Sequence, residues 1–337
     1  MRNYGYRLQY AFVFSVVIFF LFGVFALANK NSPTDAKKTD FIKWVDFSVT
    51  EQALSDAYLK CKEAKKEERE ISFSDCLAYL GAKYGGDFKR YKKSDLDALC
   101  EKLKTEKIEA IAKDMKYFVY FREAYSAVLS NFVGEFEIET EENGKKETIK
   151  KYGLKVFSPI ARGYSYSHYD DFGSSRYYGY KRKHLGHDLM GSVGTPIVAV
   201  ESGTVEALGW NRFGGWRIGI RSFDKKRYYY YAHLRKGHPF SDEMYEGKTV
   251  TAGDVIGYLG MTGYSTKEDV NNINTPHLHY GLQLIFDESQ KEGNNEIWID
   301  MYALTNFLEK NKSAVIKTAD GKEFTRKYQM FEEKTLD

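Results

Sequence analysis

Apolar residues recur along this chain in three regimes. Tyr10 to Ala28 is an almost unbroken apolar run behind Arg2 and Arg7. Such a run is long enough for a membrane-crossing helix, which takes about 20 residues, and basic residues ahead of it favour a cytoplasmic N-terminus. Ala26-Leu27-Ala28 also fits the small-x-small pattern of a signal-peptide cleavage site. Residues 1–28 are therefore a membrane anchor or a signal peptide, and either delivers the rest to the outer side of the membrane. Residues 29–40, polar with Pro33 and three lysines, read as a linker. From 41 to 132 the spacing is helical. Ala53, Leu54, Ala57, Tyr58 and Cys61 form one stripe, and Cys76, Leu77, Leu80 and Tyr84 form a second that stops at Gly85-Gly86. Ser94-x-x-Asp97 has the form of a capping box, and a longer helix is expected from Ile108 to Leu129.

Beyond this helical domain the period changes to two. Phe136, Ile138 and Thr140 alternate before Asn143-Gly144, the strongest short hairpin signal, so 133–152 is expected to be a bridging hairpin. Short strands with glycine punctuation follow: 197–201 and 204–208, 216–221 and 227–233, 255–259 and 277–286. They predict a mainly antiparallel β domain over 153–312. Asp300 should cap a short helix, and 313–337 reads as a charged tail, loosely held from Ala319. The fold class is α+β: the N-terminal segment, a small helical domain, then the β domain.

Composition narrows the partners. Fifty basic and 47 acidic residues leave the chain near neutral, which excludes the strongly basic footprint of nucleic-acid binding. Cys61, Cys76 and Cys100 fall on apolar helical positions, where free cysteine acts as a small core hydrophobe, though one disulfide and one free thiol would also fit.

Candidate chemistry concentrates in His184-Leu185-Gly186-His187-Asp188 and Pro276-His277-Leu278-His279, with Tyr231-Ala232-His233-Leu234 between them. Imidazole nitrogen and carboxylate oxygen are zinc ligands, and residues two apart on a strand face one side. His277 and His279 can thus look into one site, one binding metal and the other leaning over it. His187, His168 and His238 are better explained as packed or surface residues. The tyrosines at 177, 178, 180, 230 and 231 could line a groove.

These three motifs, in this order, resemble the lysostaphin/LytM family of zinc peptidases. The similarity extends through Gly194–Val200, Gly203-Thr204-Val205 and Gly253–Gly257, and covers roughly 155–290. It implies that His184, Asp188 and His279 hold Zn2+ and that His277 and His233 are catalytic. It also implies hydrolysis of peptide bonds in bacterial peptidoglycan by a metal-activated water. No glutamate stands in a His-Glu-x-x-His helix to act as base, so His277 is assigned proton transfer from the water and His233 the oxyanion or leaving amine, with a sharing or exchange of the two roles left open. The alternative is a non-catalytic LytM-like scaffold that binds the wall. The family's tight turn before His-x-His is extended here by a polar insert, Lys267–Asn274, which bears on specificity. The expected partners are peptidoglycan and the cytoplasmic membrane, and the sequence names no protein partner for the helical domain.

Overall fold

In a computed structural model of the chain, residues 41–177, 181–291, 293 and 295–332 are described. The apolar run Tyr10–Ala28 and the linker 29–40 lie outside them. Among the described residues no helix is long and apolar enough to cross a membrane.

The helical region forms where capping and apolar stripes agree. Helix α1 (Glu51–Lys66) starts at Thr50, whose hydroxyl accepts from the Ala53 amide at 3.3 Å. Its buried stripe is Ala53, Leu54, Ala57, Cys61 and Ala64. Helix α2 (Phe73–Tyr84) is capped by Ser72 and ends at Gly85, whose φ of 64° is the left-handed turn a glycine C-cap supplies. Helix α3 (Lys93–Lys102) corrects the expected capping box: it begins one residue before Ser94, and no side chain caps it. The single helix expected over 108–129 is two, α4 (Ile108–Ile111) and α5 (Phe118–Leu129). Its apolar spacing runs on through Met115 without proline or glycine, while the backbone turns between them.

Strands β1 (Val133–Glu142) and β2 (Lys145–Leu154) form the expected hairpin, with Asn143 and Gly144 at positive φ of 53° and 76°. Short strands β3 (Ser167–His168), β4 (Ser175–Tyr177) and β5 (Lys181–Lys183) lead to β6 (His187–Met190) and β7 (Pro196–Val198). The long strands β8 (Gly203–Asn211), β9 (Gly215–Ser222) and β10 (Arg227–Ala232) follow. Next come β11 (Thr249–Val250), β12 (Val255–Tyr258), β13 (His277–Leu284) and β14 (Ile297–Ile299). The main sheet runs β11-β8-β9-β10-β13-β6-β3, with β14 also on β13, and its pairs are antiparallel.

Helix α6 (Tyr302–Leu308) then returns to the helical region, where Phe307 stacks on Phe73 and meets Tyr58 edge-on. The charged tail is a correction. Val315–Lys317 and Phe324–Arg326 pair as β15 and β16, and Met330–Phe331, strand β17, pairs with β1. Glu323, Arg326 and Met330 are buried.

Alternation gives the main sheet two unlike faces. Ile218, Ile220, Tyr229, Tyr231, Leu278, Tyr280 and Leu282 are buried in one cluster with Leu54, Leu77, Leu80 and Val128 of the helices. The helical residues from Ile42 and the sheet thus lie in one compact unit, Ile42–Asp337, rather than in two. The other face carries His277, His279, Gly281 and Gln283 of β13, Tyr228 and Tyr230 of β10, and Arg217, Gly219 and Arg221 of β9, as the registers require.

Candidate metal centre

His279 on β13 pairs directly with Asp188 on β6, so both side chains leave the same sheet face. His184 comes over them from the loop before β6. Its Nε2 lies 3.0 Å from His279 Nδ1 and 3.1 Å from Asp188 Oδ1, and the latter two atoms are 3.1 Å apart. Bonds of about 2.0–2.2 Å in tetrahedral geometry set ligand atoms roughly 3–3.5 Å apart. The three donors therefore already stand at the spacing one small divalent ion needs.

Gly186 makes this approach possible, by room rather than by a bend. Its φ is not positive, but a Cβ there would lie 2.7 Å from His279 Cε1 and 2.8 Å from Tyr280 O.

A second carboxylate, which the sequence did not single out, holds the first histidine. His184 Nδ1 lies 3.1 Å from Asp171 Oδ2 and 3.3 Å from the Asp171 carbonyl. Both are acceptors, so Nδ1 carries the proton and Nε2 turns its lone pair to the cluster. Arg176, also unforeseen, pairs with Asp171 and reaches Asp188 Oδ2 at 3.4 Å. Burial pushes the Asp188 carboxyl up, but the close ring nitrogens of His184 and His279 and the charge of the imidazoles around it outweigh that, holding the group far below the usual carboxylate range. The His279 pKa is lowered, by burial first.

The remaining two expected site histidines face the cluster without joining the triangle. His277 donates from Nδ1 to the Thr275 carbonyl at 2.8 Å, which leaves Nε2 toward Asp188 Oδ1, 3.6 Å away. His233 donates from Nδ1 to the Thr262 carbonyl at 2.9 Å and takes a φ of 63° just past the end of β10. The two rings are 4.8 Å apart, centroid to centroid. Burial, then the neighbouring imidazoles, drive the His233 pKa well down. All five expected residues thus converge.

The other histidines do not. Alternation turns His187 away from Asp188 into a fully buried site, its Nε2 3.0 Å from Asp300 Oδ1. His168 sits beside it against Asn306, and His238 contacts Glu323. Among the tyrosines, Tyr230 borders the cluster, 6.0 Å from His279, whereas Tyr231 is buried on the opposite face. Tyr178 and Tyr180 lie outside the described residues. Tyr264, missed in the sequence, lies tilted against His233 with ring centroids 5.6 Å apart and accepts from Arg182 at 2.7 Å. The insert after it is pinned by Asp269, whose Oδ1 accepts from Trp216 Nε1 at 2.9 Å and the Gly237 amide at 2.7 Å.

The donor set and its surroundings agree with comparisons to known proteins. The L-Ala–D-Glu endopeptidase of Bacillus subtilis is 41% identical over 124 residues, 37% of this chain and 36% of that protein. Lysostaphin of Staphylococcus simulans is 37% identical over 98 residues, 29% of this chain and 17% of its own length. The matched stretch thus spans about a third or less of these relatives. A crystal structure from Ruminococcus gnavus, described as a candidate glycyl-glycine endopeptidase lytM, shares the fold with a TM-score of 0.53 at 23% identity, over 80% of this chain and 91% of that one. Residues 182–292, which hold all three histidine motifs, match the model of Peptidase family M23, so the chain carries a peptidase M23 domain with lysostaphin-type relatives.

Proposed function

We propose that the protein is a zinc-dependent endopeptidase that cuts peptide bonds in bacterial peptidoglycan. The observation that carries this reading is the triangle of donor atoms at 3.0, 3.1 and 3.1 Å with two non-ligand histidines turned toward it. The name of one relative, an L-Ala–D-Glu endopeptidase, supports a peptide substrate, and the resemblance to the lysostaphin/LytM family supports peptidoglycan as its source. His184, Asp188 and His279 would hold the ion, three protein ligands being the usual set of a catalytic zinc. When bound, zinc supplies Lewis acidity, acidifying water and polarising a peptide carbonyl.

The chain's own residues do the rest. Asp171 fixes the His184 ring in the tautomer that binds metal. His277, whose Nδ1 proton is committed to Thr275, offers Nε2 as the base that takes a proton from water. His233 has the same tautomer, so it stabilises an oxyanion or serves the leaving amine only after gaining a proton. The ring of His277 lies 4.8 Å from it, centroid to centroid.

The apolar run Tyr10–Ala28 behind Arg2 and Arg7 supports an activity on the outer side of the cytoplasmic membrane, on an anchor or after cleavage near Ala28. The test is digestion of purified peptidoglycan by the full chain, with mass analysis of the fragments. New peptide termini that vanish on chelation and return with zinc are expected. Intact peptidoglycan from several bacterial sources, with zinc bound, would leave a wall-binding scaffold instead.

A further inference from the structure

The sheet face that carries His279 continues as a groove of about 710 Å³ across β10 and β9. Tyr228, Tyr230 and Trp298 line it with aromatic surface. Glycines let them lie flat: a Cβ at Gly219 would strike the Tyr228 hydroxyl at 1.9 Å, and one at Gly281 would meet Trp298 at 2.9 Å.

The carboxylates of the groove all have partners. Glu206 pairs with Lys291 and with Arg221, Glu246 accepts from the Leu208 amide at 2.9 Å, and Glu296 accepts from Trp298 Nε1 at 2.8 Å. Arg217 does not. It lines the groove, it makes no ion pair among the described residues, and its Nη1 is shielded from water without a hydrogen-bond partner. The described residues supply this partly buried guanidinium with no carboxylate, and its planar fork matches one.

Its position relative to the metal centre is set by register. Ala232 pairs with His279, and Tyr231 pairs with Ile218, which puts Arg217 two strands from His279 on the same face. Two strand spacings are about 9–10 Å, the reach of roughly three residues of extended peptide.

We propose that Arg217 is a specificity-determining residue that binds a free carboxylate of the substrate peptide, two to three residues from the bond cut at the metal centre. The groove would then take an extended acidic peptide, its backbone over Tyr228 and Tyr230 and its carboxylate on the guanidinium. This rests on the peptidase reading for the cleavage and on the groove alone for the binding.

The test uses two stem peptides that differ only in whether the glutamate carboxyl is free or amidated. Cleavage and calorimetric binding of each are measured with the full chain, its Arg217→Gln variant and its Arg217→Lys variant, after melting confirms that each is folded. The wild type should favour the free acid by about 10-fold or more, chiefly in KM, the worth of roughly 1.4 kcal/mol. In R217Q the ratio should fall to about one, and R217K should keep part of it. Equal handling of the two peptides by the wild type, or an undiminished ratio in R217Q, overturns the proposal. If neither peptide is cut, the peptidase reading fails on these substrates, and the binding ratio alone then decides the role of Arg217. If neither is bound, the carboxylate site is refuted.

Discussion

Arg227 and Arg217 stand on adjacent strands of one sheet and leave it on opposite faces. Arg227 is fully buried and fully partnered. Its Nε and Nη2 grip Glu201 at 2.7 and 3.1 Å, Nη2 reaches Asp224 at 2.7 Å, and Nη1 donates to the Ala127 carbonyl at 2.7 Å. Tyr229 closes the network with a 2.7 Å bond to Glu201. The last carbonyl belongs to α5, so this ion pair also ties the helical region to the sheet. Among the described residues Arg217 has no such set, and the face around it carries Asp188, held far below the usual carboxylate range, with His184 and His279 converging on it and His277 turned toward it. The buried face spends its polar groups on the fold; the open face leaves Arg217 and the histidine cluster available, though Arg221 and Glu206 there are paired. That contrast separates structural from functional charge without reference to any relative.

Removing each arginine sharpens the contrast. Arg227→Met strands Glu201 and Asp224 in a buried site, and breaking such a pair costs about 3–5 kcal/mol. Arg217→Met, on the open face, should stay within about 0.5 kcal/mol, as surface changes do. Urea unfolding of both variants checks the pair, and equal losses would erase the distinction.

On the open face, the next effect is at Asp171. Asp171→Asn removes the charge that fixes the His184 tautomer, and such outer partners are worth about 10–100-fold in metal affinity. Competition with a chelator of known affinity reads this directly. Unchanged affinity would mean that the Asp171 carbonyl alone orients the ring.

The smallest expected effect lies beneath the sheet edge. Burial lowers the His168 pKa from 6.5 to about 4. The unfolded chain therefore binds the extra proton between those values, so the contribution of neutral His168 is full above pH 6.5 and is lost as pH falls toward 4. The melting temperature of wild type should drop through this window more steeply than that of His168→Gln. Parallel profiles would remove His168 from the account of acid sensitivity.

Much of this architecture is legible in the sequence because it is local. Asn143-Gly144 needs positive φ at both residues of a tight turn, and the hairpin follows. The stripes of α1 and α2, with Thr50, Ser72 and Gly85 at their ends, are likewise local. The candidate site residues were legible through motifs that resemble the lysostaphin/LytM family, and strand period two added that His277 and His279 share a face; the cross-strand pair of Asp188 and His279 came only with the structure. What escaped is long-range. Asp171 reaches His184 across a loop whose path no periodicity predicts. The tail looked loose because strands of two or three residues carry no pattern, and Glu323 is buried by a 2.6 Å bond from Tyr258, 65 residues earlier. Helices α4 and α5 read as one because apolar spacing persists through a turn that tertiary packing imposes.

The central claim is that the open face holds one metal ion on His184, Asp188 and His279, with His277 turned to the same space as a base. Zinc content by mass spectrometry, measured beside peptidoglycan cleavage for wild type, His279→Ala and His277→Ala, tests it most directly. His279→Ala should lose most of the zinc and the activity with it. His277→Ala should keep close to one zinc per chain while cleavage falls by roughly 10²–10⁴-fold, the usual worth of a positioned acid–base group. Equal loss of zinc from both variants, or full zinc in His279→Ala, would contradict the account.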